Sequence, residues 1–576
     1  MTTAPAPARP VPGIRRRRIP ASPGQALVWG LAVLVILGPL VPLVYTSFRS
    51  KPYYLPGGTW TLGAYRTLFA DPEFWRAVQN TVVFAAVATV LAVALGAGFA
   101  ILVSRTNMPG RRWLGWALLV PIVTPPLALI VGWSSIYGEG GYLTQLFGRK
   151  LGLPTWNLSS LGGMAVLGAV VALPVAFLTC RAALAGSDGS LERAALSAGA
   201  SPVIALRRVT LPLLRPAILN SAILIFALLL ETLGIPLFLG TPANINFYAS
   251  YLYKGWVNGA TPDPPYVSAG AVLLLAAVTI LLLLRTKLLG SEQRFIVTSS
   301  RRSSDTPLDL GRWRFGGTAI TGAFVLLASV IPLAGLALMS SVKELTILVP
   351  PWHLWTDANW HAVLTEVSLR RSIQNSLLIA AVGGVLTVVF VAVATLVAHR
   401  SRFALRRTMP SLLVYPRAIP GIILGVGFFW AFLIVNVPGA FLRNSIWGEL
   451  LALCIRNLTV AYVVLYPSLV RMNPELELAA TASGAGWWTT ARRIVLPVLR
   501  PALLAALALM FITLLNDYDP VVFLQKTGTE ILGVTMLHSW EKGLPGQVAS
   551  LALIQVVIVG AVLAGAGRAF RRATVA

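Results

Sequence analysis

Six polar residues stand where the sequence is otherwise strongly apolar, and their side chains are the ones best suited to chemistry. Carboxylate oxygens bind hard cations, whereas guanidinium groups attract anions. Ionisable side chains at membrane depth are costly, so the default interpretation is functional, although at the outer end of a span they are simply solvated. We treat them as candidates for lining a pathway: Glu231, Asn516, Asp517, Asp519, Arg417 and Arg456.

Two polar loops carry the second set of candidate residues. Residues 191–217 and 476–502, called the paired loops below, are identical at 14 of 27 positions. Each has a glutamate where a helix dipole favours it, an alanine pair, a glycine suited to a positive-φ turn, and a later Leu-Pro. The pattern predicts a helix-turn-helix in each loop, built on Glu192, Ala194, Ala195, Gly199, Leu211 and Pro212, and on Glu477, Ala479, Ala480, Gly484, Leu496 and Pro497. A single such loop could also lie flat on lipid headgroups, but two copies at matching places disfavour that alternative.

The amino-acid composition indicates the class of protein that contains these residues. Of 576 residues, 56% are hydrophobic and only 11% are charged, whereas a soluble domain carries about 25% charged residues. The net charge of +26 comes from Lys and Arg in short loops between apolar runs. The partner of these charges is therefore the lipid bilayer and not nucleic acid. The two cysteines and four histidines form no cluster, so we expect no metal site.

Apolar runs long enough to cross a bilayer predict an all-α membrane protein with twelve spans. Because the basic loops alternate, the positive-inside rule puts both termini in the cytoplasm. The predicted units are a tail at 1–25, a six-span lobe at 26–290, a cytoplasmic linker at 291–316 and a second six-span lobe at 317–576. The predicted spans are 26–48, 77–103, 113–134, 161–182, 216–238, 266–286, 317–340, 374–398, 409–435, 446–470, 502–524 and 546–568.

The two lobes repeat each other in the same orientation. Asn80 and Asn375 begin equivalent spans 295 residues apart, and Pro121 and Pro416 have the same spacing. An even number of spans in each lobe makes the repeats parallel, so they should pack about an axis normal to the membrane with a pathway between them.

The paired loops resemble the Glu-Ala-Ala loops of permease subunits in binding-protein-dependent importers of the ATP-binding-cassette class. That resemblance covers nearly the whole chain and implies the type I permease fold in a bacterial inner membrane. It also implies three further subunits: two copies of a cytoplasmic ATPase that accept the paired loops, and a periplasmic solute-binding protein. ATP would be bound by those partners and no cofactor by this chain, which has no GxxxxGK[ST] sequence and no catalytic constellation. We therefore expect no enzyme.

More narrowly, the chain resembles the fused permeases of ferric-iron importers. The stretches that carry this resemblance are 231–236 leading to 239–243, 416–421 and 516–520. Related fused permeases carry thiamine, 2-aminoethylphosphonate or polyamines, and these substrates stay open alternatives. A second class of function, an ion-coupled secondary transporter, is disfavoured because such a carrier has no ATPase for the paired loops to meet.

Overall fold

A computed structural model describes residues 23–575, apart from residues 53, 153–154, 188, 258–262, 290–307, 402 and 474. Within this part of the chain the secondary structure is helical, with three isolated β-bridges. The predicted tail 1–25 and linker 291–316 lie largely outside the described residues, and their boundaries stay predictions.

The described residues contain nine helices long and apolar enough to cross a membrane, and twelve spans when each of three bent helix pairs counts as one. The predicted all-helical fold of two six-span repeats is thereby confirmed. Spans one to six are Pro23–Ser47, Pro72–Arg105, Arg111–Val123 with Pro126–Gly148, Leu161–Gly186, Pro202–Leu230 and Pro264–Arg285. Spans seven to twelve are Trp313–Ser340, Val367–Arg400, Arg406–Ala418 with Gly421–Ile434, Ile446–Arg471, Trp487–Val498 with Arg500–Asn516, and Pro545–Arg568.

Spans three and nine are sharply bent, although the sequence predicts each as one continuous run. Their two halves meet at 101° and 105° respectively. The cause is proline, which lacks an amide donor and pushes the preceding residue out of the helical region. Thr124 before Pro125 has ψ 133°, and Ile419 before Pro420 has ψ 114°.

Equivalent spans match in length and in the contacts at their ends. Spans two and eight both contain 34 residues, and spans four and ten both contain 26. Asn80 in span two donates to the carbonyl of Asn246, at 3.0 Å. Asn375 in span eight donates to the carbonyl of Glu530, at 2.9 Å. The same side chain therefore fastens the loop after span five or span eleven to the amino-terminal part of the long helix.

The first span of each lobe packs on the other lobe. A Cβ added to Gly132 in span three would lie 2.5 Å from the Pro332 carbonyl of span seven. A Cβ added to Gly427 in span nine would lie 2.7 Å from the Pro39 carbonyl of span one. These equivalent glycines allow backbone to approach backbone, as small residues do where membrane helices pack closely. Span one therefore packs on the second lobe, and span seven packs on the first, so the two lobes exchange their first spans.

Short helices connect the spans and complete the repeat. These helices lie in the paired loops, at the start of spans five and eleven, and between the last two spans of each lobe. They are Ser190–Ser197, Pro202–Ala205, Tyr248–Val257, Glu475–Ala482, Trp487–Thr490 and Leu532–Glu541.

Candidate functional site

The predicted helix-turn-helix is present in both paired loops. The first helices, Ser190–Ser197 and Glu475–Ala482, contain eight residues each. Gly199 and Gly484 follow them with φ values of +87° and +81°. A Cβ at either glycine would meet nothing within 4 Å. The glycine is therefore required by the left-handed backbone of the turn and not by lack of space.

One face of each loop is apolar and exposed. Leu191 and its equivalent Leu476 are exposed, as are the first alanines of the two pairs, Ala194 and Ala479. The second alanine of the second loop, Ala480, is buried. Exposed apolar side chains grouped outside the spans are typical of a surface that binds another protein.

The Leu-Pro elements differ between the two loops. In the first loop, Leu211 and Pro212 lie within the continuous helical segment Pro202–Leu230. In the second loop, the chain bends by 75° at Leu499, beyond Leu496-Pro497. Of the two loops, only the second therefore bends after Leu-Pro, just before Pro501, whose missing amide removes a helical hydrogen bond.

The loop glutamates face inward, toward an arginine at the end of a span. Glu192 is 2% exposed and its Oε1 lies 3.6 Å from Arg105 Nε. Thr210 also donates to Glu192 Oε1, at 3.0 Å. In the second loop, Glu477 Oε1 lies 3.3 Å from Arg400 Nε. These glutamates are therefore bound within the chain, and the exposed contact face belongs to their neighbours.

Five charged residues from four spans meet in a central charge cluster. Arg456 Nε lies 3.0 Å from Asp517 Oδ2, and Arg456 Nη2 lies 3.1 Å from Asp519 Oδ2 and 3.7 Å from Glu231 Oε1. Arg417 Nη1 reaches Glu231 Oε1 at 3.9 Å. The arginine of span ten therefore pairs with three carboxylates, one of which belongs to the first lobe, and so links the first lobe to the second.

Two carboxylates of the cluster lie at the carboxyl ends of helices, where a cation is needed to compensate their charge. Glu231 and Asp517 follow directly on the helices of spans five and eleven. A carboxylate there adds to the negative end of a helix dipole, which is unfavourable without a compensating cation. Arg456 supplies that cation with a side chain only 7% exposed, whereas the side chain of Arg417 is 44% exposed. Arg417 is thus the more exposed of the two guanidinium groups.

Neighbouring residues complete the cluster or lie apart from it. Asn457 donates to Asp517 Oδ2 at 2.8 Å. A side chain at Gly421 would overlap the guanidinium of Arg456, so the bend of span nine must carry glycine here. Asn516 lies outside the network and accepts a hydrogen bond from Gln555 at 3.1 Å. Of the six predicted pathway residues, five therefore meet and Asn516 does not.

Two residues that matter in the geometry were not singled out from the sequence. Arg105 and Arg400 end spans two and eight, 295 residues apart. This is the spacing that relates Asn80 to Asn375. The repeat spacing therefore marks them as an equivalent pair, although it cannot show what they touch.

Comparison with known proteins places the chain among membrane transport components. The family model described as "Binding-protein-dependent transport system inner membrane component" matches twice, over residues 88–291 and 390–570. The chain is 23% identical over 506 residues to the ferric transport system permease protein of Actinobacillus pleuropneumoniae, covering 85% of this chain and 70% of that protein.

Two further relatives differ in how much of the chain they cover. An Fe(3+)-transport system permease protein of Haemophilus influenzae is 23% identical over 546 residues, which is 93% of this chain and 97% of the relative. The molybdenum transport system permease protein of Escherichia coli K12 is 31% identical over 169 residues, which is 29% of this chain and 72% of the relative. The relatives named for ferric iron therefore match both lobes, and the molybdenum permease matches a part of the chain shorter than one lobe.

Proposed function

We propose that this chain, which belongs to the family of binding-protein-dependent transport system inner membrane components, forms the pathway by which ferric iron enters the cell in an ATP-driven importer. The observation that carries the transport role is the pair of matching helix-turn-helix loops, each with an exposed apolar face. The substrate is inferred from relatives named for ferric transport that match both lobes.

The paired loops imply the number and kind of partners. Each loop offers one contact face, so one chain would bind two copies of a cytoplasmic ATPase subunit. ATP would be held by those subunits, since this sequence has no phosphate-binding loop. A periplasmic solute-binding protein would deliver the substrate to the opposite face of the membrane.

The central charge cluster supports a cation as substrate. Its three carboxylates outnumber its two guanidinium groups, and oxygen ligands suit a hard, highly charged ion such as Fe³⁺. In the structure the carboxylates are paired with Arg456, so the cluster is closed. Opening would require Arg456 or Arg417 to give up a carboxylate partner, and a passing cation could take the arginine's place.

Uptake of ferric iron into proteoliposomes that contain the permease, the ATPase and the binding protein tests this function. We expect Glu231→Gln, Asp517→Asn and Asp519→Asn combined to slow uptake without weakening ATPase binding. Glu449→Gln is the matched control, because this buried carboxyl of span ten bonds Thr529 outside the cluster. Loss of uptake after Arg417→Gln with Arg456→Gln, with full uptake in the triple amide variant, would instead indicate an anion.

Orientation is part of the same proposal, with both termini in the cytoplasm of a bacterial cell. A topology reporter fused after Arg301, in the linker and outside the described residues, should report the cytoplasm. A reporter fused after Asn244, between spans five and six, should report the periplasm. Reversed signals at either position would contradict the proposed orientation.

A further inference from the structure

The cytoplasmic end of span two is fastened to the end of span four by one arginine. Arg105 Nη2 donates to the carbonyls of Leu184 and Ser187, at 3.0 and 2.9 Å. Ser187 also accepts through its hydroxyl, at 2.6 Å. The last carbonyls of a helix have no partner within the helix and carry its negative dipole, so a guanidinium group is well suited to them. The same side chain faces Glu192 of the first paired loop.

The second lobe repeats this arrangement with different neighbours. Arg400 Nη2 donates to the carbonyls of Leu469 and Met472, at 2.9 and 3.1 Å. Its Nε lies 3.3 Å from Glu477. Trp487, which begins the second helix of the loop, donates to the Arg400 carbonyl at 3.1 Å. Each arginine therefore ties three segments together: the end of a long span, the end of the span before the loop, and the first helix of the loop.

These two contacts, called the Arg–Glu joints, lie inside the chain. The side chains of Arg105 and Glu192 are 7% and 3% exposed, and those of Arg400 and Glu477 are 16% and 21% exposed. A planar guanidinium with five fixed donors can hold two carbonyls and a carboxylate at once, which an ammonium group cannot do in the same geometry. The joints therefore fix the orientation of each loop on its span.

The long spans reach from the joints to the outer loops beside the central charge cluster. At 34 residues, spans two and eight are roughly 50 Å long. Near their outer ends, Asn80 and Asn375 hold the loops that follow spans five and eleven. Glu231 and Asp519 lie at the beginnings of those loops. A rotation of a paired loop would thus reach the cluster through one continuous helical span.

We propose that Arg105 and Arg400 are positioning residues that transmit movement of the paired loops to spans two and eight. The inference rests on the proposed function in one respect, since an ATPase must supply the movement. The joint would make the paired loop and its long span move as one rigid body. A movement of the loop would then move the span, and the loop would not bend separately from it.

Distance measurements between spin labels in the second lobe test the joint directly. Labels replace exposed Ser483 in the loop and exposed Leu405 just after span eight. The native cysteines, Cys180 and Cys454, are buried and do not compete for label. In the complex with the co-purifying ATPase, we expect one narrow distance distribution, unchanged between the nucleotide-free state and trapping with ATP and vanadate.

Arg400→Gln should broaden this distribution and make it change on trapping. It should also lower binding-protein-stimulated ATP hydrolysis about tenfold, in the usual range for loss of coupling between sites. ATPase binding should persist, because the exposed face of the loop is untouched. Arg400→Lys should give an intermediate width. Arg407→Gln is the matched control, since it removes an exposed arginine from the nearby start of span nine, and it should match the wild type.

Two results would overturn the inference: an unchanged distribution in Arg400→Gln, or labels that already move relative to each other in the wild type. If Arg400→Gln is not obtained as a monodisperse complex, Glu477→Gln removes the other side of the joint and is measured in the same way. A wild-type chain that binds no ATPase would count against the proposed function and not against the joint. The label distances are therefore also recorded in the permease alone. There, Arg400→Gln must still broaden the distance distribution.

Discussion

The Arg–Glu joints occur in both lobes, whereas the central charge cluster has no counterpart in the first lobe. Across the repeat, Arg105 corresponds to Arg400 and Glu192 to Glu477. At the positions equivalent to the charged residues of spans nine to eleven, the first lobe has uncharged residues. Arg417, Arg456, Asp517 and Asp519 correspond to Ile122, Val171, Thr232 and Gly234.

The proposed function gives a reason for this difference. Two loops that bind two copies of one ATPase would need the same geometry twice, so the repeat would be kept there. A pathway between the lobes would be single, and one charged cluster on its wall would be sufficient. The first lobe contributes Glu231 alone to the cluster, and Arg456 binds it across the interface.

The largest effect is expected where the lobes are most alike. Gly199→Val with Gly484→Val places a β-branched residue at φ above +80° in both turns, at a cost of roughly 1–2 kcal/mol each. We expect loss of uptake and of binding-protein-stimulated ATP hydrolysis, with membrane insertion retained. The double Asn variant, which tolerates this backbone, should keep most activity. Normal uptake by the Val variant would contradict the role of the paired loops.

Where the lobes differ, the expected effect is on stability, with a smaller effect on coupling to the ATPase. Arg456→Gln leaves three carboxylates near one another without their buried cation, which should cost about 3–5 kcal/mol of stability. Arg417→Gln, at the exposed edge of the cluster, should cost no more than about 1 kcal/mol. The midpoint of thermal unfolding in detergent measures both. Equal losses for the two variants would show that Arg456 does not hold the cluster together.

The smallest effect concerns a hydrogen bond that is present in the first joint and absent from the second. Thr210 donates to Glu192, and the equivalent residue in the second lobe is Val495. Thr210→Val should therefore lower stability by about 1 kcal/mol, the usual net value of one hydrogen bond. Val495→Thr in the second lobe is the reciprocal variant. If Thr210→Val lowers the unfolding midpoint as much as Arg105→Gln does, the arginine is not the main contact of the joint.

Hydrophobic run length was enough to predict twelve spans, because crossing a bilayer imposes a length that the sequence displays directly. The bends of spans three and nine were not predicted, since an apolar run through Pro125 or Pro420 looks continuous in composition. The turn glycines were found from type and spacing, because the left-handed conformation depends on one residue.

Contacts between segments that are distant in the chain could not be predicted from the sequence. Arg105 donates to Leu184, 79 residues away, and Arg456 pairs with Asp519, 63 residues away. No local pattern specifies such a pairing, because it depends on how four spans pack. The repeat did mark equivalent residues, and Arg105 with Arg400 could have been listed in that way before any contact was known.

The exchange of first spans has a consequence for how the chain is made. Trp29 of span one donates to Thr408, which is 379 residues later in the chain. At about 5–20 residues per second, a ribosome needs roughly 20–75 seconds to synthesise that intervening length. During this interval span one faces lipid or an insertion factor with the surface that will later contact span nine. The amino-terminal lobe therefore reaches its final packing only after span nine, the third span of the carboxy-terminal lobe, has entered the membrane.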